Sequence, residues 1–199
     1  AVTTAHSLNI LSASYPPSSG QFRKDLMPFI TPLLGFLNRT GSPFLINAYP
    51  FFAYKADPKR VSLGYVLFEP NSGIVDPSSG LKYDNMLHAQ VGSAIAAAGE
   101  GKGIEVRVSE TGWPSKGDED EFGATADNAR KYNGNLMRMV AEGKGTPMRP
   151  DSPLLVYVFA LFNENLKPGP GSERNYGLFN PDMSPAYDLG IKSGAGNFS

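Results

Sequence analysis

Three short stretches combine carboxylates, amides and aromatic rings at spacings that can do chemistry. VRVSETGWPS, residues 106–115, carries Glu110 and, three positions on, Trp113, the only Trp in the chain. NAYPFFAY, residues 47–54, carries Asn47, Tyr49, Phe52 and Tyr54, and ALFNENLKPG, from Ala160, carries Glu164 and Lys167. Ring faces stack on the C–H faces of sugars, and amides and carboxylates hydrogen-bond their hydroxyls. Two carboxyl groups across a cleft can cleave a glycosidic bond, one protonating the leaving oxygen while the other attacks carbon or activates water. The pattern therefore points to a sugar-processing site. Each residue also has a plainer role: Glu110 as a helix cap or ion-pair partner, Trp113 as core, Tyr49, Phe52 and Tyr54 as loop packing, Glu164 as a loop anchor. Glu110 stands apart because it ends a β-branched apolar run and precedes Thr-Gly-Trp-Pro.

Elements must deliver these residues to one place. Val2–Ala5, Phe44–Tyr49, Glu105–Ser109 and Leu154–Phe159 are short, apolar or β-branched and bounded by Gly, Pro or Ser, as buried strands are. Near-continuous apolar character suits a parallel sheet covered on both faces. Helical spacing lies between them: Gln21–Leu37, which Pro28 and Pro32 should break or kink; the Ala-rich Asp84–Ala98; and Ala124–Glu142, followed by Gly143. The order β, α, β, α, β, α, β predicts an α/β fold with four parallel strands and right-handed crossover helices. Sites in such folds gather at the C-terminal ends of the strands, where the three stretches fall. Residues 69–81, EPNSGIVDPSSGL, read as a turn-rich excursion, and residues 193–199 as a frayed tail of a domain spanning residues 1–192.

Composition narrows the classes. The 199 residues carry a net charge of −1 and 41% hydrophobic residues, enough for a core and no general attraction to nucleic acid. No apolar run reaches the length of a membrane span. Cysteine is absent, which excludes disulfides and thiolate metal sites. His6 and His88 lie far apart, and packing, not metal binding, is expected of both. Two N-glycosylation sequons occur, at Asn38 and Asn197. The first residues, AVTTAHSLNI, show neither an initiator Met nor a signal-peptide pattern, so a processed or excised piece is expected.

Several motifs together resemble the plant endo-β-1,3-glucanases of glycoside hydrolase family 17: YPPSSGQF, GSPFLINAYPFFAY, VRVSETGWPS, ATADNARKYN, FALFNENLKPG and RNYGLFNPDMSPAY. The resemblance covers nearly the whole chain. It implies the C-terminal half of a (β/α)8 TIM barrel. It implies that Glu110 is the nucleophile of a retaining hydrolase, with Glu164 and Lys167 nearby to hold its charge state and orientation. Asn47, Tyr49, Phe52 and Tyr176 would line the cleft, and Trp113, counted with them as a substrate-binding residue, would support the nucleophile loop more than it touches sugar. The substrate would be β-1,3-linked glucan, with no metal or cofactor, in a secreted, extracellular or cell-wall setting tied to plant defence.

One departure sets a limit on this reading. A complete barrel typically needs about 250 residues, and the family's general acid lies in a Gly-Asn-Glu segment that this sequence does not contain. The isolated chain is therefore expected to hydrolyse glucan weakly or not at all, with Glu164 a possible substitute acid. A non-catalytic β-glucan-binding module or allergen-like domain is the alternative. Half a barrel also leaves two strand edges open to pairing. A complementary N-terminal half could cover them, the chain could close on itself, or two copies could pair edge to edge, the arrangement expected of the chain alone.

Overall fold

Four short strands hydrogen-bond side by side in chain order, all parallel: Ala5–Ser7, Phe44–Asn47, Val106–Thr111 and Val156–Val158. The computed structural model describes residues 1–99 and 103–189; the tail read from residues 193–199 and the Asn197 sequon lie outside them. Parallel neighbours need long crossovers. Helices Met27–Thr40, Met86–Ala98 and Ala126–Ala141 supply them.

Local chemistry sets the helix ends. Asn85 Oδ1 accepts the His88 N–H at 2.8 Å and Thr125 Oγ1 the Asn128 N–H at 3.3 Å, each an N-cap. Gly41 closes the first helix in the left-handed region, φ 61°, and donates its N–H to the Leu37 carbonyl. The first helix differs from the expectation at both ends. Gln21–Phe22 pairs antiparallel with Leu11–Ala13 instead of joining it. Pro28 falls in the first turn, where an N–H has no intrahelical partner. Pro32 costs a single backbone bond, and the helix runs unbroken to Thr40.

Strand alternation separates two faces. Phe44, Ile46, Ala48, Val106 and Val108 are buried against Leu37, Leu87, Val91, Ile95, Ala129, Tyr132 and Leu136. The other face is polar and open. Ala5 and Ser7 are exposed, Leu45, Asn47 and Ser109 half-buried, Arg107 is forked onto Glu105 at 2.7 Å twice, and Tyr157 is 59% exposed. A sheet covered on both faces was expected; among the described residues one face is covered by helices.

The first strand starts later than predicted, at Ala5. Residues 2–4 look like strand, but Thr3 donates its hydroxyl to the Pro43 carbonyl at 2.6 Å outside the ladder. Among the elements not predicted are helix Pro50–Ala56 directly after the second strand, helix Leu63–Val66, and a ribbon that pairs Ile74–Val75, inside the excursion, with Lys82–Tyr83 just after it. A fully buried Asp76 pins that excursion, accepting the Ser18 N–H and hydroxyl at 2.7 and 2.8 Å. Asn38 is exposed in the last turn of the first helix.

Candidate active site

Simple alternation would bury Glu110. Val106 and Val108 face the helices, and position 110 follows them at the same period of two. A β-bulge changes its aim. Between the second and third strands the register steps from Ile46↔Val108 to Asn47↔Glu110, and between the third and fourth from Val108↔Val156 to Thr111↔Val158. Ser109 and Glu110 therefore share one position and both turn to the open face. Ser109 donates to Asn47 Oδ1 at 2.6 Å. Thr111 falls back to the helix side, hydrogen-bonded to Tyr132. The next residue must be glycine: a Cβ on Gly112 would sit 1.9 Å from the Phe159 carbonyl oxygen of the neighbouring strand end.

Glu110 is half-buried, and among the described residues its side chain has one hydrogen-bond partner, Tyr49, which donates to Oε2 at 2.9 Å. Burial, then the bond to Glu110, pushes the Tyr49 phenol well above its ordinary pKa, so it stays a donor. Tyr49 sits immediately before helix Pro50–Ala56 and meets Phe52, Tyr176 and Phe159 with ring centroids 5.5, 5.6 and 6.4 Å away. Beside them a groove of about 1510 Å³ runs over the ends of the first two strands, lined by Asn47, Tyr49 and Phe52 together with Tyr15, Tyr65 and Gln90.

Lys167 lies 4.9 Å over the Phe159 ring and pairs with Glu164 at 3.2 Å and Glu173 at 3.1 Å. Partial burial pulls its pKa down, but the Glu173 and Glu164 carboxylates more than offset that and raise it. Neither Glu164 nor Lys167 bonds Glu110; Tyr49 and Phe159 stand between as aromatic links. Glu164 itself is exposed.

Two expected sugar-contacting residues are placed otherwise. Trp113 is fully buried, edge-on to Phe51 at 5.3 Å, with Nε1 donating to the Gly123 carbonyl at 2.8 Å. It braces the loop behind Glu110. Tyr176 is 3% exposed and stands behind Tyr49 instead of forming a wall of the groove. Among the described residues no group of three or more His, Cys, Asp or Glu could hold a metal ion.

The family model for glycosyl hydrolases family 17 matches residues 1–191. The chain belongs to that family. Glucan endo-1,3-beta-glucosidase 11 of Arabidopsis thaliana is 63% identical over 195 residues, covering 96% of this chain and 46% of that protein. Glucan endo-1,3-beta-glucosidase 14 of the same plant is 62% identical, covering 96% of this chain and 49% of its own length. Among solved structures, CJP38, a β-1,3-glucanase and allergen of Cryptomeria japonica pollen, superposes with a TM-score of 0.87 at 42% identity, covering 94% of this chain and 57% of that one. The chain spans about half the length of the curated relatives it matches. Its solved family 17 neighbours have the TIM-barrel fold, so the four strands here form a partial domain of that barrel. In barrel terms the open face is the inward one, and the bulge turns Glu110 toward it at the C-terminal end of its strand.

Sequence reasoning missed Glu173, which shares Lys167 with Glu164, and Glu121, whose setting differs from that of every other carboxylate near the site. Glu121 lies in the run KGDEDEFG, which reads as a solvated loop. No sequence signal marks its burial.

Proposed function

We propose that this chain carries the nucleophile side of a retaining β-1,3-glucan endohydrolase site. The observation that carries the reading is the bulged strand end, which turns the Glu110 carboxylate out of the helix layer and under the Tyr49 hydroxyl. In the glycosylation step an oxygen of Glu110 forms a bond to the anomeric carbon, and the leaving oxygen departs with the electron pair of the broken bond. Tyr49 holds the carboxylate by one neutral hydrogen bond, which orients it and leaves its other oxygen free. Asn47, Tyr49 and Phe52 line the groove for a neutral glucan, with Phe52 offering the more exposed of the two rings.

The Gly-Asn-Glu segment absent from the sequence supports a second element of the proposal, that no general acid serves Glu110 in this chain alone. General acid catalysis typically contributes about 10²–10⁴-fold, so polymeric laminarin should turn over weakly or not at all. A secreted setting and completion of the barrel by an N-terminal half or a second copy belong to the same reading. Their support is the exposed sequon at Asn38 and the two outer strands of the sheet.

A substrate with a good leaving group removes the need for the acid. With a laminaribiosyl fluoride, the Glu110 carboxylate forms the C–O bond and fluoride leaves with the electron pair of the C–F bond. Water attack on the glycosyl-enzyme then wants the same missing group as a base. The expected result is a burst near one equivalent of fluoride per chain, a laminaribiosyl mass gain on the peptide containing Glu110, and neither in Glu110→Gln. Glucan binding in both proteins with no fluoride release and no adduct would overturn the nucleophile reading in favour of a binding module.

A further inference from the structure

We propose that Glu121 is a positioning residue for Glu110, acting as a buried knot that ties together the loops following the second, third and fourth strands. The inference rests on the nucleophile reading above. The Glu121 side chain is 1% exposed. One of its oxygens accepts from Lys55 Nζ at 2.8 Å and the Ser172 hydroxyl at 2.6 Å; the other accepts from the Ser172 N–H at 2.7 Å and the Asp118 N–H at 3.0 Å. Each partner belongs to a segment with a task at the site. Lys55 lies in the last turn of the helix that Tyr49 precedes. Ser172 lies in the turn Gly171–Arg174, which carries Glu173 and leads into Tyr176. Asp118 and Glu121 lie on the loop that leaves Glu110 and Trp113.

The approach is close on all sides. Asp118 Oδ2 accepts the Gly171 N–H at 2.7 Å, and a Cβ on Gly171 would lie 2.5 Å from the other Asp118 oxygen. Trp113 Nε1 bonds Gly123, two residues past Glu121, and closes the loop on itself. The knot thus fixes from behind the three loops whose front holds Tyr49, Glu110 and Tyr176 within ring and hydrogen-bond contact. A misplacement on the order of 1 Å can cost about 10²-fold in rate without touching the reacting groups.

The test uses the same fluoride substrate and separates the rate of Glu110 glycosylation at saturation from the concentration giving half of it. Glu121→Gln should lower the saturated rate about 10-fold or more and leave the half-saturating concentration within about twofold. Lys55→Met and Ser172→Ala, which remove single bonds, should lower it less, and they stand in if Glu121→Gln does not fold. Asp76→Asn is the control: it removes another buried carboxylate with several hydrogen bonds, away from these loops, and should lower the melting temperature without slowing glycosylation. Equal loss of rate in Asp76→Asn and Glu121→Gln would reduce Glu121 to a stability role and overturn the inference, as would an unchanged rate in Glu121→Gln. Absence of labelling in the unsubstituted chain would overturn the nucleophile reading first, and this inference with it.

Discussion

Glu110 and Glu121 belong to one strand–loop segment and differ in almost every physical respect. Glu110 is half-buried and, among the described residues, its side chain has a single neutral donor, on one oxygen only. Glu121 is sealed, and its two oxygens accept four hydrogen bonds, one from an ammonium. Burial alone would push its carboxyl up, but Lys55, Ser172 and the two backbone N–H groups outweigh that and hold it at about 2. A carboxylate satisfied on every lone pair is a structural part, because attack on carbon would require those bonds to break. A carboxylate held by one neutral bond can react. Solvation and partner count, more than proximity in sequence, divide the two roles.

The largest effect that would break this comparison is chemical. Glu110→Gln should abolish fluoride release, a loss on the order of 10³-fold or more, while denaturant unfolding shifts by no more than about 1 kcal/mol. A stable chain that still released fluoride would remove Glu110 from its role. Glu121→Gln should do the reverse in unfolding, costing about 3 kcal/mol near neutral pH. The sign follows from a folded-state pKa below the ordinary value of 4.5. The ionised carboxylate's contribution is complete above about pH 5 and disappears as pH falls toward about 2, so the gap between the two proteins should close across that window. A gap that stays constant from pH 7 to pH 3 would refute the assignment. Tyr49→Phe sharpens the contrast at an intermediate level: loss of the Glu110 side chain's hydrogen bond, the one it has among the described residues, should slow glycosylation about 10-fold, read from the same burst. Glu164→Gln is the smallest. It removes an exposed ion pair that Glu173 also serves, and should change unfolding by less than about 0.5 kcal/mol.

Much of the fold can be read from the residues, and the reasons are local. The second, third and fourth strands are short apolar runs between turn residues, and the crossover helices after the second and third carry Asn85 and Thr125 where caps belong. The first strand slipped because Val2, Thr3 and Thr4 have β-type side chains yet no ladder partner. The first helix was begun too early because Phe22 fits its spacing while its backbone pairs with Leu11. At the site, Glu110, Tyr49, Asn47 and Phe52 come together as their strand-end positions suggest. Trp113 and Tyr176 do not reach the groove, because an aromatic residue near a site reads the same from sequence whether it faces substrate or braces the loop behind. Glu121 was invisible for the opposite reason: a charge run looks solvated until three distant segments close over one member of it.

The doubled position at Ser109 and Glu110 makes the chemistry of this sheet depend on strand register as much as on residue type. Another small side chain at 109 would leave the carboxylate aimed as it is. Even pairing of the same residues, without the bulge, would put Glu110 on the alternation of Val106 and Val108 and swing the acid into the helix layer where they point. A homologue that keeps every motif but pairs evenly here would carry the signature and lack its aim.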